Sequence, residues 1–213
     1  MTEEEKFQRL KALNIDILSQ SGNCEASQQM FGAATCVHEL CEAWYKYWFG
    51  LVTEVPKQVA QAFFVMYSEI KDEVNVAGIF YNEDSPQGYV IIGDSTEPIH
   101  LYRARHAYVL GNAHVVLHAC AHATGMSDGC TIELLDSSTA TIDNGYGIAR
   151  DRSELTTKCD AECHGSAKVR ITDAALTDNG HLRITAYGTA TVRSFTDRLI
   201  YLYDSSTIEP LSE

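Results

Sequence analysis

The chain has 213 residues, of which 45% are hydrophobic, and 29 Asp and Glu against 16 Lys and Arg give it a formal net charge of −13. A hydrophobic share of this size is ordinary for a folded protein, so a wholly disordered chain is excluded. The acidic excess repels phosphate backbones and anionic lipid, which disfavours nucleic acid as a partner.

The beginning of the chain, MTEEEKF, is acidic and lacks the apolar stretch of a secretory signal. No apolar run approaches the roughly 18 residues that cross a bilayer. The seven cysteines are odd in number and scattered, as in proteins that keep their thiols reduced. We therefore predict a cytoplasmic protein with no membrane partner.

Residues 1–78 follow a helical period and predict a helical domain of three amphipathic helices, the third opened by Pro56. Their apolar stripes are Phe7, Leu10, Leu13 and Ile17; Met30, Ala33, Val37, Leu40, Trp44 and Trp48; and Val59, Phe63, Met66, Ile70 and Val74. The aromatic cluster around Trp44 and Trp48 has too many members to lie on a single helix face. We expect part of it to face a neighbour, either another subunit or, as we favour, the second half of the chain.

Beyond Gly78 the period changes to two. Residues 79–98 predict a β connection, with two short strands around a turn at Ser85 and Pro86. Residues 99–213 show short alternating segments without a helical stretch and are predicted to form a separate domain.

Apolar positions in this second half recur at a nearly fixed step. Three series are spaced by eight residues: Ala107, Val115 and Ala123; Ile132, Ala140 and Ile148; Ile184, Val192 and Ile200. A longer internal repeat relates GSAKVR from Gly165 to GTATVR from Gly188, 23 residues later. Short strands that turn and repeat in this way predict stacked coils of parallel strands about 4.8 Å apart, with small apolar side chains forming interior columns.

In this pattern residues 99–204 resemble short-repeat β-solenoid proteins, a likeness of fold type that implies no activity. The six-residue step of hexapeptide-repeat acyltransferases is broken at Ser127, and the five-residue step of pentapeptide-repeat proteins is not sustained. The stretches FYNED, GDS and YVLGNAHV are similar to those of bacterial proteins, including proteins of mobile elements, which implies no chemistry. The predicted fold class is α+β, an N-terminal helical bundle followed by a β-solenoid. The alternative is a β-sandwich or jelly roll, whose short antiparallel strands recur at similar spacing.

Three histidines in AYVLGNAHVVLHACAHA are the candidates for a surface site. His114, His118 and His122 alternate with apolar residues and are therefore expected to point outward. Along one strand they lie about 13 Å apart, too far to share a zinc ion, unless a turn near Ala119 brings two of them together. We predict no catalytic, metal-binding or cofactor-binding residue and no cofactor.

CDAECH looks at first like a metal motif. Its Cys159, Cys163 and His164 lack the spacing of zinc ligands, and strand alternation sends the last two to opposite faces, so interior packing is favoured for the thiols. Arg150 and Arg152 break the apolar register, which predicts a corner or an external loop that could contact a partner.

These observations favour a non-enzymatic interaction or scaffold protein whose partner is another protein. The predicted contact residues are Trp44, Trp48, Arg150 and Arg152 together with the acidic solenoid faces. An inhibitor that mimics DNA is a special case based on net charge. The alternative is an enzyme of acyl transfer or carbohydrate modification, with a cleft between the helices and the solenoid and an outward histidine as base. A homo-oligomer formed by stacked solenoid ends or by paired Trp44 and Trp48 faces is the third hypothesis.

Overall fold

The computed structural model describes residues 2–20, 25–54, 56–172, 183–194 and 200–210. Four helices precede a β-solenoid of about seven coils: α1 (Glu3–Gln20), α2 (Glu25–Ala33), α3 (Val37–Glu54) and α4 (Pro56–Val76). The strands are β1 (Ile79–Tyr81), β2 (Tyr89–Ile92), β3 (Ile99–Leu101), β4 (Ala107–Val109), β5 (His114–Leu117), β6 (His122–Leu134), β7 (Thr139–Ala149), β8 (Glu154–Thr157), β9 (Ala161–Cys163), β10 (Lys168–Ile171), β11 (Ile184–Ala186), β12 (Thr191–Ser194), β13 (Ile200–Leu202) and β14 (Thr207–Pro210). The α+β class and the β-solenoid are confirmed. Among the described residues every strand pairing is parallel, which is incompatible with an antiparallel sandwich.

The helical region differs from the prediction at the second apolar stripe, which two helices share. The chain leaves the helical conformation at residues 34–36, and α3 begins at Val37. The Glu39 carboxylate accepts hydrogen bonds from the Thr35 backbone N–H (2.6 Å) and hydroxyl (3.0 Å), which stabilises the new start. Residues on both sides of the break are buried, including Phe31 and Leu40, so the apolar pattern continued through it and did not reveal it.

Trp44 lies at the centre of the helical core and is fully buried. Its ring packs against Phe31 and Phe63, with centroid distances of 5.4 and 4.7 Å, and its indole N–H donates to the Asn14 side chain. The prediction of Trp44 as a contact residue for a partner is therefore wrong, because the side chain has no surface to offer. The side chain of Trp48 falls outside what the structure describes.

The solenoid has two walls. Wall 1 follows the order β1-β2-β4-β6-β7-β8-β10-β12-β14, and wall 2 follows β3-β5-β6-β7-β9-β11-β13. β6 and β7, with 13 and 11 residues, run through both walls. The core between the walls consists of Ala, Val, Ile, Leu and Cys side chains. Small residues predominate because facing sheets pack only about 10 Å apart.

One coil takes about 16 residues, so the eight-residue step of the sequence corresponds to half a coil. Ala107 pairs with Ala123 and Ile184 pairs with Ile200, 16 positions further along. Residues eight apart in a series therefore lie on opposite walls and meet across the core. They do not stack directly above one another.

The predicted interior series Ile132, Ala140 and Ile148 is wrong at its last member. Ile132 and Ala140 are buried, but Ile148 pairs with Glu133 on the outer face of wall 2. Ile132 itself pairs with Gly147, so this coil is 15 residues long. A shift of one residue turns a strand side chain to the opposite face of its sheet, which periodicity alone does not show.

The two copies of the 23-residue repeat lie on neighbouring coils, with Val169 paired to Val192. Gly165 and Gly188 occupy the same corner of these coils, and both have positive φ, at 67° and 71°. The offset exceeds an ordinary coil by seven residues, which fall between β10 and β11.

The helices pack on the outer face of wall 1 at the first coils. β1 and β2, in the predicted connection, pair in parallel and belong to wall 1. Their outward residues Ile79, Tyr81 and Ile91 join the helical core. The Tyr45 ring lies 5.3 Å from that of Tyr89, so part of the aromatic cluster faces the second half of the chain, as predicted. Of the helices that the structure describes, none is both long and apolar enough to cross a membrane.

The corner that leads from wall 2 into wall 1 repeats from coil to coil. Its residues with positive φ are Ala119, Asp136, Asp151, Gly165, Gly188 and Asp204. The Asp136 carboxylate accepts a hydrogen bond from the Ala119 N–H at 3.0 Å, and the Asp151 carboxylate accepts one from the Asp136 N–H at 3.1 Å. Each bond joins one coil to the next, so part of the acidic excess stabilises coil stacking.

Replacing Asp136 by alanine is expected to lower the free energy of unfolding by about 1–2 kcal/mol, because the Ala119 N–H loses its acceptor and alanine disfavours positive φ. Urea denaturation measures the change. Asp136→Asn is the control, since asparagine keeps a carbonyl acceptor and tolerates this backbone conformation. Equal losses in the two variants would contradict a role for this hydrogen bond.

Candidate interaction surface and cavity

The outer face of wall 2 points away from the helices and carries a column of residues at the corner. Backbone hydrogen bonds between successive coils fix its order: Tyr102, His118, Leu135, Arg150, His164, Tyr187 and Tyr203. We call these seven residues the corner column. Tyr102 and Tyr203 are about half exposed, at 51% and 47%, and the members between them are half-buried.

Most of the corner column consists of stacked rings. Tyr102 and His118 lie 4.3 Å apart with planes inclined by 10°, and Tyr187 lies 4.8 Å from His164 and 4.9 Å from Tyr203. These distances match the coil spacing, so the solenoid itself holds the rings in place. His100 extends the first stack, with its Nδ1 2.9 Å from the His118 Nε2.

Two carboxylates lie beside the corner column, and each is close to two side chains. Glu133 lies 2.7 Å from the Arg150 Nε and 3.4 Å from the His114 Nε2. Glu162 accepts a hydrogen bond from the Tyr146 hydroxyl at 2.8 Å and lies 3.1 Å from the His164 Nε2. The hydrogen bonds from these two partners hold the pKa of Glu162 below its usual value.

This arrangement gives little support to acid–base catalysis at the wall. A glycosidase needs two carboxyls that flank one sugar bond, whereas Glu133 and Glu162 are each engaged by neighbouring side chains of the wall. Sugars bind the open faces of aromatic rings, but the inner faces of these stacks are covered by the next ring. The surface is better suited to contact through ring edges, hydroxyls and charged groups.

The three candidate histidines do not share one site. The chain turns at Ala119, where φ is 52°, so His114 and His118 lie on wall 2 and His122 begins the next strand on wall 1. The His122 Nδ1 lies 2.8 Å from the Thr139 hydroxyl. Burial lowers the pKa of His122, and electrostatic repulsion from His106 makes a smaller contribution. Across the described ranges no group of three or more His, Cys, Asp or Glu could hold a metal ion.

The two arginines occupy the predicted corner. Arg150 is a member of the corner column and is ion-paired to Glu133, whereas Arg152 is exposed within the turn itself. Both lie next to Asp151, one of the positive-φ corner residues. Their break in the apolar register is therefore the sequence signal of a corner.

The thiols of CDAECH are in the interior, as the alternation predicted. Cys163 is fully buried, Cys159 packs against the core, and His164 points outward into the corner column. Burial raises the pKa of Cys163 to about 12. Burial is also the main cause that raises the pKa of Cys41 to about 12.

At pH 8 we expect iodoacetamide to modify the exposed Cys36 and Cys120 at least about 100-fold faster than Cys41 and Cys163. Only the thiolate reacts, and a raised pKa together with burial keeps the two buried thiols protonated and out of reach. Mass spectrometry of peptides after timed alkylation measures the four rates. Denaturation in urea should make them similar, and early modification of Cys163 in the folded protein would show that the core is open.

A cavity of about 440 Å³ lies between α4 and the first coils of wall 1. Helix α4 lines it with Lys57, Ala60, Gln61, Phe64 and Val65, and the solenoid lines it with Tyr81, Asp94, Leu110, Gly111, Asn112 and Ser127. A cleft between helices and solenoid was expected for the enzyme alternative. None of the candidate histidines is among its lining residues.

Sequence reasoning missed the rings that flank His118 and His164. Tyr102 and His118 are 16 residues apart, as are Tyr187 and Tyr203, whereas His164 and Tyr187 are 23 residues apart, the spacing of the longer repeat. An alignment of the sequence by whole coils would have placed them in one column. The cavity left no comparable signal, because its lining residues come together only when α4 packs on the solenoid.

Comparison of the chain with protein-family models, with curated proteins and with solved structures found no match.

Proposed function

We propose that the chain is a non-enzymatic cytoplasmic interaction protein that binds another protein through the corner column and the adjoining outer face of wall 2. The observation that supports this is the ladder of stacked Tyr and His rings on a rigid parallel wall. Tyr and Arg, together with Trp, are enriched in the energetic centres of protein interfaces, and Arg150 lies in the middle of this column.

Preorganisation strengthens the proposal. A side chain that becomes ordered on binding costs about 0.5–1.5 kcal/mol of affinity. The rings of Tyr187 and Tyr203 are already fixed by stacking, so a partner would meet them with little further loss of entropy. Ring edges and hydroxyls, with Glu133 and Glu162 beside them, provide both apolar contact and hydrogen bonding.

The acidic charge indicates a partner with a basic contact surface. The net charge of −13 speeds association with a basic protein and slows it with an acidic one. DNA mimicry is not part of this proposal, since corner carboxylates such as Asp136 and Asp151 already accept backbone hydrogen bonds. A second copy of this chain is disfavoured as the partner, because two acidic chains repel each other.

The experiment compares two sets of variants in affinity capture from native cell extract, followed by binding measurements with the purified partner. Tyr102→Ser with Tyr203→Ser removes the two exposed ends of the corner column. Thr156→Ser with Arg170→Ser is the control on the outer face of wall 1, where these residues pair across β8 and β10. The wall 2 pair is expected to weaken binding at least about tenfold, and the control pair to leave it nearly unchanged.

A partner that binds the ring variant as tightly as the unaltered chain would refute the location of this surface. Affinity that is insensitive to salt would contradict the basic partner, because steering between opposite charges is screened by ions. Light scattering of the purified chain tests the self-association alternative, and a dimer abolished by the ring substitutions would replace the proposed partner by a second copy.

A further inference from the structure

The cavity between α4 and wall 1 is lined by both aromatic and charged side chains. The α4 residues that line it lie on one face of the helix, with Lys57 in the first turn and Phe64 seven positions later. At 1.5 Å per residue these two positions are about 10 Å apart along the helix axis. The Phe64 ring lies 6.1 Å from the ring of Tyr81, so the two rings form one aromatic part of the lining.

The solenoid side of the cavity has a fixed carboxylate. The Asp94 Oδ1 accepts a hydrogen bond from the Asn112 backbone N–H at 2.7 Å, which holds the side chain in place. A Cβ at Gly93 would lie 1.8 Å from the Tyr81 hydroxyl, so the phenol rests directly on the backbone beside Asp94. Burial, with a smaller contribution from Asp94, raises the pKa of Tyr81 to about 12, and the hydroxyl therefore remains a donor at neutral pH.

Two polar residues of the lining, Ser127 and Lys57, make no side-chain hydrogen bond or ion pair with the described residues. The Ser127 side chain lines the cavity and is only 4% exposed, yet its hydroxyl makes no hydrogen bond in the part of the chain that the structure describes. Lys57 is exposed at the same cavity and forms no ion pair with any described residue.

We propose that this cavity binds a small zwitterion with an apolar body, of the class of aromatic amino acids. The aromatic group packs against the Phe64 and Tyr81 rings, the carboxylate pairs with Lys57, and the ammonium pairs with Asp94. The volume of about 440 Å³ falls within the range of small-molecule sites, which is roughly 300–1,000 Å³. This inference is independent of the proposed protein interface, because the cavity and the corner column lie on opposite walls.

The two lining charges select this class of ligand over simpler ions. A monoanion would pair with Lys57 but face the Asp94 carboxylate, and a monocation would leave Lys57 without a counter-charge. A zwitterion satisfies both groups, whereas a small polar zwitterion would leave the Phe64 and Tyr81 rings uncovered. A ligand that fits this cavity therefore needs both opposite charges and an apolar body.

Four probes test this selection by isothermal titration calorimetry on the full chain. L-phenylalanine has both charges and the ring, phenylpropionate lacks the ammonium, phenethylamine lacks the carboxylate, and glycine lacks the ring. L-phenylalanine is expected to bind about tenfold or more tightly than each of the other three. No binding of L-phenylalanine in the millimolar range, or equal binding of the three aromatic probes, overturns the proposal.

Charge-removing variants locate the site. Lys57→Gln is expected to abolish the preference for L-phenylalanine over phenethylamine, and Asp94→Asn the preference over phenylpropionate, since each removes the partner of one ligand charge. Asp94→Asn keeps the oxygen that accepts the Asn112 N–H, so the fold is preserved. Lys46→Gln on α3 and Asp136→Asn at the far corner are matched controls, because neither residue lines the cavity. Preferences that survive both cavity substitutions, or that the controls also abolish, refute this site.

Discussion

Replacing Ile132 by alanine is expected to destabilise the protein by about 3 kcal/mol, among the largest effects of any single truncation in the solenoid. Ile132 is fully buried between the walls, where it pairs with Val115 on one coil and Gly147 on the next. The Ile132 Cδ1 packs against Gly125, which has no side chain to fill the space that the lost methyl groups leave. Urea denaturation, with the midpoint and slope measured separately, gives the change in free energy of unfolding.

Ile148→Ala is the matched control for this prediction. Ile148 has the same side chain one coil later on wall 2, but it points outward and is half-buried. Its truncation is expected to cost about 1 kcal/mol. A larger loss from Ile148 than from Ile132 would mean that the register of this coil is wrong by one residue.

Gly111→Ala is expected to cost about 3 kcal/mol or more, through a different mechanism. An added Cβ would lie 2.3 Å from both the Asp94 N and the Gly93 carbonyl carbon of the preceding coil. Backbone cannot move aside as a flexible side chain can, so the two coils must separate and lose hydrogen bonds between them. Thermal unfolding should show a fall in Tm of roughly 10 °C for a chain of this size.

Gly32→Ala in α2 separates this steric effect from the general effect of adding a methyl group. A Cβ at Gly32 meets no atom within 4 Å, and alanine is the better helix former. We expect no loss of stability and a gain of up to about 1 kcal/mol. If Gly111→Ala were as mild as Gly32→Ala, the close approach of the two coils at Gly111 would be refuted.

The cavity carries the clearest lesson about what sequence patterns reveal. Lys57 and Ser127 are 70 positions apart, in a helix and at the end of a wall 1 strand segment, and no local period relates them. The unsatisfied hydroxyl of Ser127 is likewise a property of packing, because the same residue on an open corner would bind water. Trp44 is the converse case. Its place among many aromatic residues predicted an exposed contact surface, but its ring packs against Phe31 and Phe63 inside the helical core.

The sequence by itself determined the two halves of the chain, because the apolar period changes from helical to alternating at Gly78, and its repeat spacing favoured stacked parallel coils over an antiparallel sandwich. It also determined that Cys163 and His164 face opposite sides. Only the tertiary structure decided that eight residues make half a coil, that Ile148 turns outward, and that the rings of Tyr187 and Tyr203 stack. Coil length and corner geometry set which distant residues become neighbours, and a coil shorter by one residue reverses a side chain without altering the local pattern.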